Sequence, residues 1–178
     1  QSEVSLSYKL LKLINSAAFA LRHKVTNILQ ALSLLGIREV RNWVSLLSVS
    51  AMADDKPAEL VVSSLVRARF CEQLAITCGQ GGRKADYFLM GLFSLLDVIM
   101  SRPIDEILQE ITIEESIVAA LTSDKPGPMR NILEMIIAIE KGDWDKVTSL
   151  SELMRIDEKP LSEAYMSAIK WAHEIYSV

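Results

Sequence analysis

The sequence is short of histidine. It has two in 178 residues, His23 and His173, near opposite ends of the chain. A metal centre needs several His, Cys or carboxylate groups converging, and neither histidine has such neighbours at helical or turn spacing. His23, in Leu-Arg-His-Lys, reads as part of a solvated basic turn, and His173, beside Trp171, as a surface or half-buried side chain. Cysteine is as scarce. Cys71 and Cys78 fall on what reads as one helix; seven residues of helical rise separate them by about 10.5 Å, beyond the ~7 Å Cα limit of a disulfide. They are expected as two buried free thiols of a reducing compartment.

Seven glycines and five prolines are too few for a collagen-like or low-complexity chain. Aromatics make up 6% of the residues and do not interleave with basic ones, as a single-strand nucleic-acid surface requires. Basic residues are outnumbered 19 to 23, giving a net charge of −4 and arguing against a dedicated nucleic-acid binder. No apolar run approaches the ~18 residues of a membrane-spanning helix. The longest, Phe88 to Phe93 and Met135 to Ile139, are core-sized. The opening Gln1-Ser2-Glu3 has neither a starting Met nor the basic-then-apolar pattern of a secretory leader. The chain is therefore read as cytoplasmic and as cut from a longer protein.

What is present is helical periodicity. Half of the residues are apolar and mean hydropathy is +0.23, and the apolar positions recur at 3.6 rather than 2. Leu6, Leu10, Leu13 and Ala17 form one stripe, Thr26 to Leu35 a second helix, and Val40, Trp43, Val44, Leu47 and Ala51 a third. Asp54 to Pro57 reads as a turn, with Pro57 opening a long helix that carries Leu60 through Cys78. Gly79-Gln80-Gly81-Gly82 stops it. Ala85 to Met100 then reads as one strongly apolar helix at the centre of a bundle. Shorter helices are expected from Pro103 to Glu110 and from Ile113 to Thr122, followed by Met129 to Lys141 with Gly142 as C-cap. Asp143 caps a helix to Met154, and a last helix after Pro160 carries Leu161, Ala164, Ala168, Trp171 and Ile175. The fold class is all-α, one compact multi-helix bundle spanning 1–178, with 143–178 as a C-terminal extension.

Candidate chemistry is thin. No serine stands in a Gly-x-Ser-x-Gly elbow. Gly79 to Lys84 lacks the spacing of a phosphate loop and follows a helix rather than a strand. Arg38 and Arg41 share a helix face, which reads as a solvated edge. Asp86 and Asp97, three turns apart, are placed on one side of the apolar helix. Asp97, among Leu95, Leu96, Val98 and Ile99, needs a hydrogen bond, an ion pair or a cleft, with Arg67 and Arg69 as candidate partners.

Leu10-Leu11-Lys12-Leu13-Ile14-Asn15-Ser16-Ala17-Ala18-Phe19, followed by Ile28 to Gly36, resembles the opening of an HDOD domain, the HD-related output domain of bacterial signalling proteins. Arg67 to Ala75, Phe88 to Asp97 and Glu140-Lys141-Gly142-Asp143-Trp144 are similar to the group in which HDOD follows an EAL domain. The resemblance runs from about Leu6 to Val147. It implies a bundle of the HD type and a link to cyclic-di-GMP signalling through an upstream EAL domain. Catalytic HD phosphohydrolases carry a His-Asp dyad where this chain has Ser94 and Leu95, and an alcohol and an alkyl group cannot hold a metal as that dyad does. Arg67 lies near the place of an upstream metal-binding histidine.

The resemblance therefore implies no catalytic residue, no metal and no cofactor, with Arg67, Ser94 and Asp97 as candidates for a vestigial pocket. The leading expectation is a non-catalytic signalling module that contacts an adjacent EAL domain, another signalling protein or a second copy of itself, its surplus apolar surface forming the docking face. Two alternatives follow. One is a nucleotide sensor in which Arg67 meets a phosphate and Ser94 and Asp97 supply hydrogen bonds. The other is an atypical metal-dependent phosphohydrolase using Asp86, Asp97 and His23.

Overall fold

A computed structural model describes residues 25–26, 30, 33, 36–52 and 57–176. The Leu6 to Ala17 stripe, His23, most of the Thr26 to Leu35 helix and the Asp54 to Lys56 turn lie outside the described residues. Among the described residues the secondary structure is nine α-helices and one 3₁₀ turn, without a strand, as the 3.6 periodicity requires. In chain order they are α1 (Ile37–Met52), α2 (Ala58–Thr77), the 3₁₀ turn Gly81–Arg83, α3 (Lys84–Phe93), α4 (Leu96–Met100), α5 (Ile104–Gln109), α6 (Glu115–Thr122), α7 (Pro128–Lys141), α8 (Trp144–Met154) and α9 (Glu158–Tyr176).

The long α2 and the largely buried α3 form the central hairpin. α2 ends in a left-handed glycine: Gly79 has φ 74° and donates its N–H to Ile76 O at 3.1 Å, and Gln80 N–H donates to Ala75 O at 2.7 Å. Those two bonds satisfy carbonyls that the helix end would otherwise leave open. Every residue of α3 from Ala85 to Phe93 is buried. The two helices touch backbone to backbone. A Cβ built on Gly91 would lie 2.4 Å from the Arg67 carbonyl oxygen and 2.7 Å from Ala68 Cα, so only glycine permits the crossing.

The apolar run from Ala85 to Met100 is two helices, not the single one its composition predicts. The Ser94 hydroxyl donates to Gly91 O at 2.7 Å, and the Ser94 N–H reaches the same carbonyl at 3.3 Å. That carbonyl is the acceptor a continuing helix would offer to Leu95, so a short polar side chain ends the helix from within. The chain resumes as α4, which stops at Ser101 in the left-handed region.

α9 returns along the bundle and packs on α2 through the stripe Leu161, Ala164, Ala168, Trp171 and Ile175, all buried. Three aromatics meet here. Trp171 lies 5.7 Å from Trp43 of α1 and 6.1 Å from Phe88 of α3, centroid to centroid, joining three helices. Tilted and edge-on pairs at such distances add about 0.5–1.5 kcal/mol each beyond burial. Helices α8 and α9 therefore share one core with α1 to α3, which also includes Val147, Ile156 and Leu161.

Candidate functional site

The crossing at Gly91 sets the geometry of the site the sequence singled out. Because α2 and α3 touch at Arg67 and Gly91, the Arg67 side chain emerges beside the last turn of α3. Its Nη1 donates to Ser94 Oγ at 3.1 Å and to Ser94 O at 3.4 Å. On its other edge stands Glu140, from the last turn of α7. Arg67 Nε lies 3.0 and 3.1 Å from the two Glu140 carboxylate oxygens, and Nη2 lies 2.6 Å from Oε2. The two side chains are only 12% and 26% exposed. A planar guanidinium held two-pronged by one carboxylate and capped by a hydroxyl has little capacity left for another anion. A phosphate arriving here must displace Glu140.

Cys71, one turn further along α2, is fully buried and a free thiol. Burial pushes its pKa well above the ordinary thiol range, against a smaller downward pull from Arg67. It is therefore an inert core side chain rather than a nucleophile. Cys78 is also free but only half-buried, more open than expected.

The structure brings Arg67 and Ser94 together and leaves Asp97 apart. The break at Ser94 turns Asp97 onto the first turn of α4, where it is exposed and outside the Arg67 hydrogen bonds. The same break removes the shared face expected of Asp86 and Asp97. Asp86 is buried against Arg83 at 3.1 Å and Arg41 at 3.5 Å. The expected ion pair between Asp97 and Arg67 or Arg69 is replaced. Arg67 takes Glu140, and Arg69 takes the buried Glu72 at 2.5 Å while its guanidinium lies 5.5 Å from the Trp171 ring centroid. Arg38 and Arg41 do more than face solvent, since Arg38 donates to Gly82 O at 3.4 Å. Glu140 was missed as a partner although it was legible. A carboxylate in the last turn of a helix opposes the helix dipole and calls for a cation.

A search of protein families matches the HDOD domain over residues 1–121. The chain belongs to the HDOD family. Arg67, Gly91 and Ser94 fall inside the HDOD match, whereas Glu140, which closes the cluster, comes from beyond it. Two curated relatives extend the likeness over almost the whole chain. The protein "Uncharacterized protein YuxH" of Bacillus subtilis is 33% identical over 178 residues, covering 98% of this chain and 42% of that protein. The "Cyclic di-GMP phosphodiesterase CdgJ" of Vibrio cholerae is 29% identical over 173 residues, covering 97% of this chain and 40% of that protein. The chain thus spans about two fifths of the length of these relatives. No solved structure matches it significantly. Among the described residues, no helix of this HDOD chain is long and apolar enough to cross a membrane.

Proposed function

We propose that this chain is a non-catalytic output module of a cytoplasmic cyclic-di-GMP signalling protein, contacting or regulating an adjacent EAL domain. The observation that carries this reading is the Arg67 cluster. By the family resemblance, Ser94 and Leu95 take the place of the metal-binding dyad of a catalytic HD domain, and beside Ser94 the Arg67 guanidinium is neutralised by Glu140. With Glu140 engaged by that guanidinium, its carboxylate is already committed, and among the described residues the space holds no free anionic ligand for a divalent metal ion. Arg67, Ser94 and Glu140 serve instead to lock α2, α3 and α7 together. On this reading, the activity in the name of the Vibrio relative resides in the part of that protein which this chain does not cover. The inert Cys71 thiol and the lack of affinity expected for nucleic acid, given the net charge of −4, fit a module that works through protein contact.

The test is to incubate the purified chain with cyclic di-GMP and with mononucleotides in the presence of Mg²⁺ or Mn²⁺. No turnover is expected. Hydrolysis that persists on repurification and is lost in Ser94→Ala or Arg67→Ala would overturn the proposal. In a protein that joins the chain to its EAL domain, Arg67→Ala is expected to change the EAL rate without touching the EAL site.

A further inference from the structure

A groove of about 820 Å³ opens where α7 ends and α8 meets α9. Buried Val147, Ile156 and Leu161 form its floor, and Trp144, 65% exposed at the start of α8, stands at its edge. An indole so exposed beside an apolar floor is poorly placed in water, and tryptophan is the residue most enriched where binding energy concentrates. The volume lies in the upper part of the range of about 300–1,000 Å³ seen for ligand sites. The groove is open to solvent rather than enclosed, so it admits side chains carried by a macromolecule.

Charge selects among such macromolecules. Glu152, Asp157 and Glu158 line the groove against a single cation, Arg155, and all four are exposed. None of the three carboxylates has an ion-pair partner among the described residues. On the neighbouring α7, by contrast, Glu134 is paired with both Arg130 and Lys146. The described residues offer no sheet edge to which a strand could add, so the recognition mode that fits is a helix laid in a groove.

We propose that this groove docks an amphipathic helical segment of a partner protein, its apolar stripe seated on Trp144, Val147 and Leu161 and its flanking residues basic. The inference deepens the output-module reading and rests on it for the existence of a protein partner. Contact with Trp144 supplies affinity, and the unpaired carboxylates set orientation and association rate.

The test uses the whole chain and two synthetic peptides of about 14 residues, roughly four helical turns, with one leucine stripe and either lysine or glutamate flanks. Trp43 and Trp171 are buried, so a blue shift of tryptophan emission on titration reports Trp144. The lysine peptide is expected to give that shift and to bind at least about tenfold more tightly than the glutamate peptide, a difference of about 1.4 kcal/mol. Trp144→Ala, which lacks the reporting indole and is therefore followed by titration calorimetry, should weaken binding by about tenfold or more, with far-UV circular dichroism unchanged. The triple variant Glu152→Lys, Asp157→Lys, Glu158→Lys should reverse the preference. Equal binding of the two peptides, a preference that survives the triple reversal, or no binding overturns the proposal. So does self-association that Trp144→Ala abolishes, because the groove then belongs to a second copy. Failure of the peptides without nucleotide hydrolysis removes only the groove; hydrolysis removes the output-module reading whatever the peptides do.

Discussion

The Arg67 cluster and the Trp144 groove meet at the same turn of α7, where Glu140 belongs to one and its neighbour Ile139 lines the other. They use charge in opposite ways. In the cluster a largely buried guanidinium is matched by a carboxylate and a hydroxyl, and two helices touch at a glycine. In the groove three carboxylates stand unmatched around an apolar floor. Charge that is satisfied internally holds the bundle together. Charge left over beside apolar surface is available to a partner.

The largest expected effect falls on the tight region. Gly91→Ala must part α2 from α3, because the atoms in the way are backbone. A loss of about 3 kcal/mol is expected, seen as a fall of about 6–12 °C in thermal unfolding. A fall under about 2 °C would mean that the crossing does not set the position of Arg67. Arg67→Met comes next, at about 2 kcal/mol, since Glu140 and Ser94 both lose their donor. A double-mutant cycle with Glu140→Gln is expected to return a coupling of about 1–2 kcal/mol; additivity would erase the contrast with the groove.

Asp143→Ala lies between the two regions, where the Asp143 carboxylate accepts the Lys146 N–H at 3.1 Å and caps α8. Its loss should cost about 1 kcal/mol in urea unfolding, with an unchanged denaturant slope. Glu134 gives a pH signature. Burial pushes its carboxyl up, but the hydrogen bond from Lys146 and the charges of Arg130 and Lys146 outweigh that and hold it below the usual carboxylate range. Its stabilisation is therefore present above the ordinary carboxylate pKa and lost as pH falls through the depressed one. Glu134→Gln should flatten that acid-side loss in a pH series of unfolding midpoints, and solvent screening keeps the difference at pH 7 below about 1 kcal/mol. Trp144→Ala should be smallest, within about 0.5 kcal/mol. A larger loss would make Trp144 part of the core and remove it from the groove.

Helix after helix was legible in the pattern of apolar residues. The Gly142 cap, the Asp143 cap and the stop at Gly79 stand where their chemistry placed them, because capping is decided within a turn or two of chain. The pairing of Arg67 with Ser94 was within reach through the family resemblance. The exposure of Asp97 was not, because leucine-rich composition on both sides of Ser94 hid a hydroxyl that takes a backbone carbonyl for itself.

By itself the sequence determined the all-α class, the family and most helix boundaries, all properties written in local spacing. It also contained Glu140, Gly91 and Trp144 without saying that the first would meet Arg67, that the second would touch a neighbouring backbone, or that the third would face solvent. Those outcomes depend on residues up to 73 positions apart being brought to hydrogen-bond distance. Only the packing of α2 against α3, α7 and α9 decided them, because burial and pairing belong to surfaces that no single helix possesses alone.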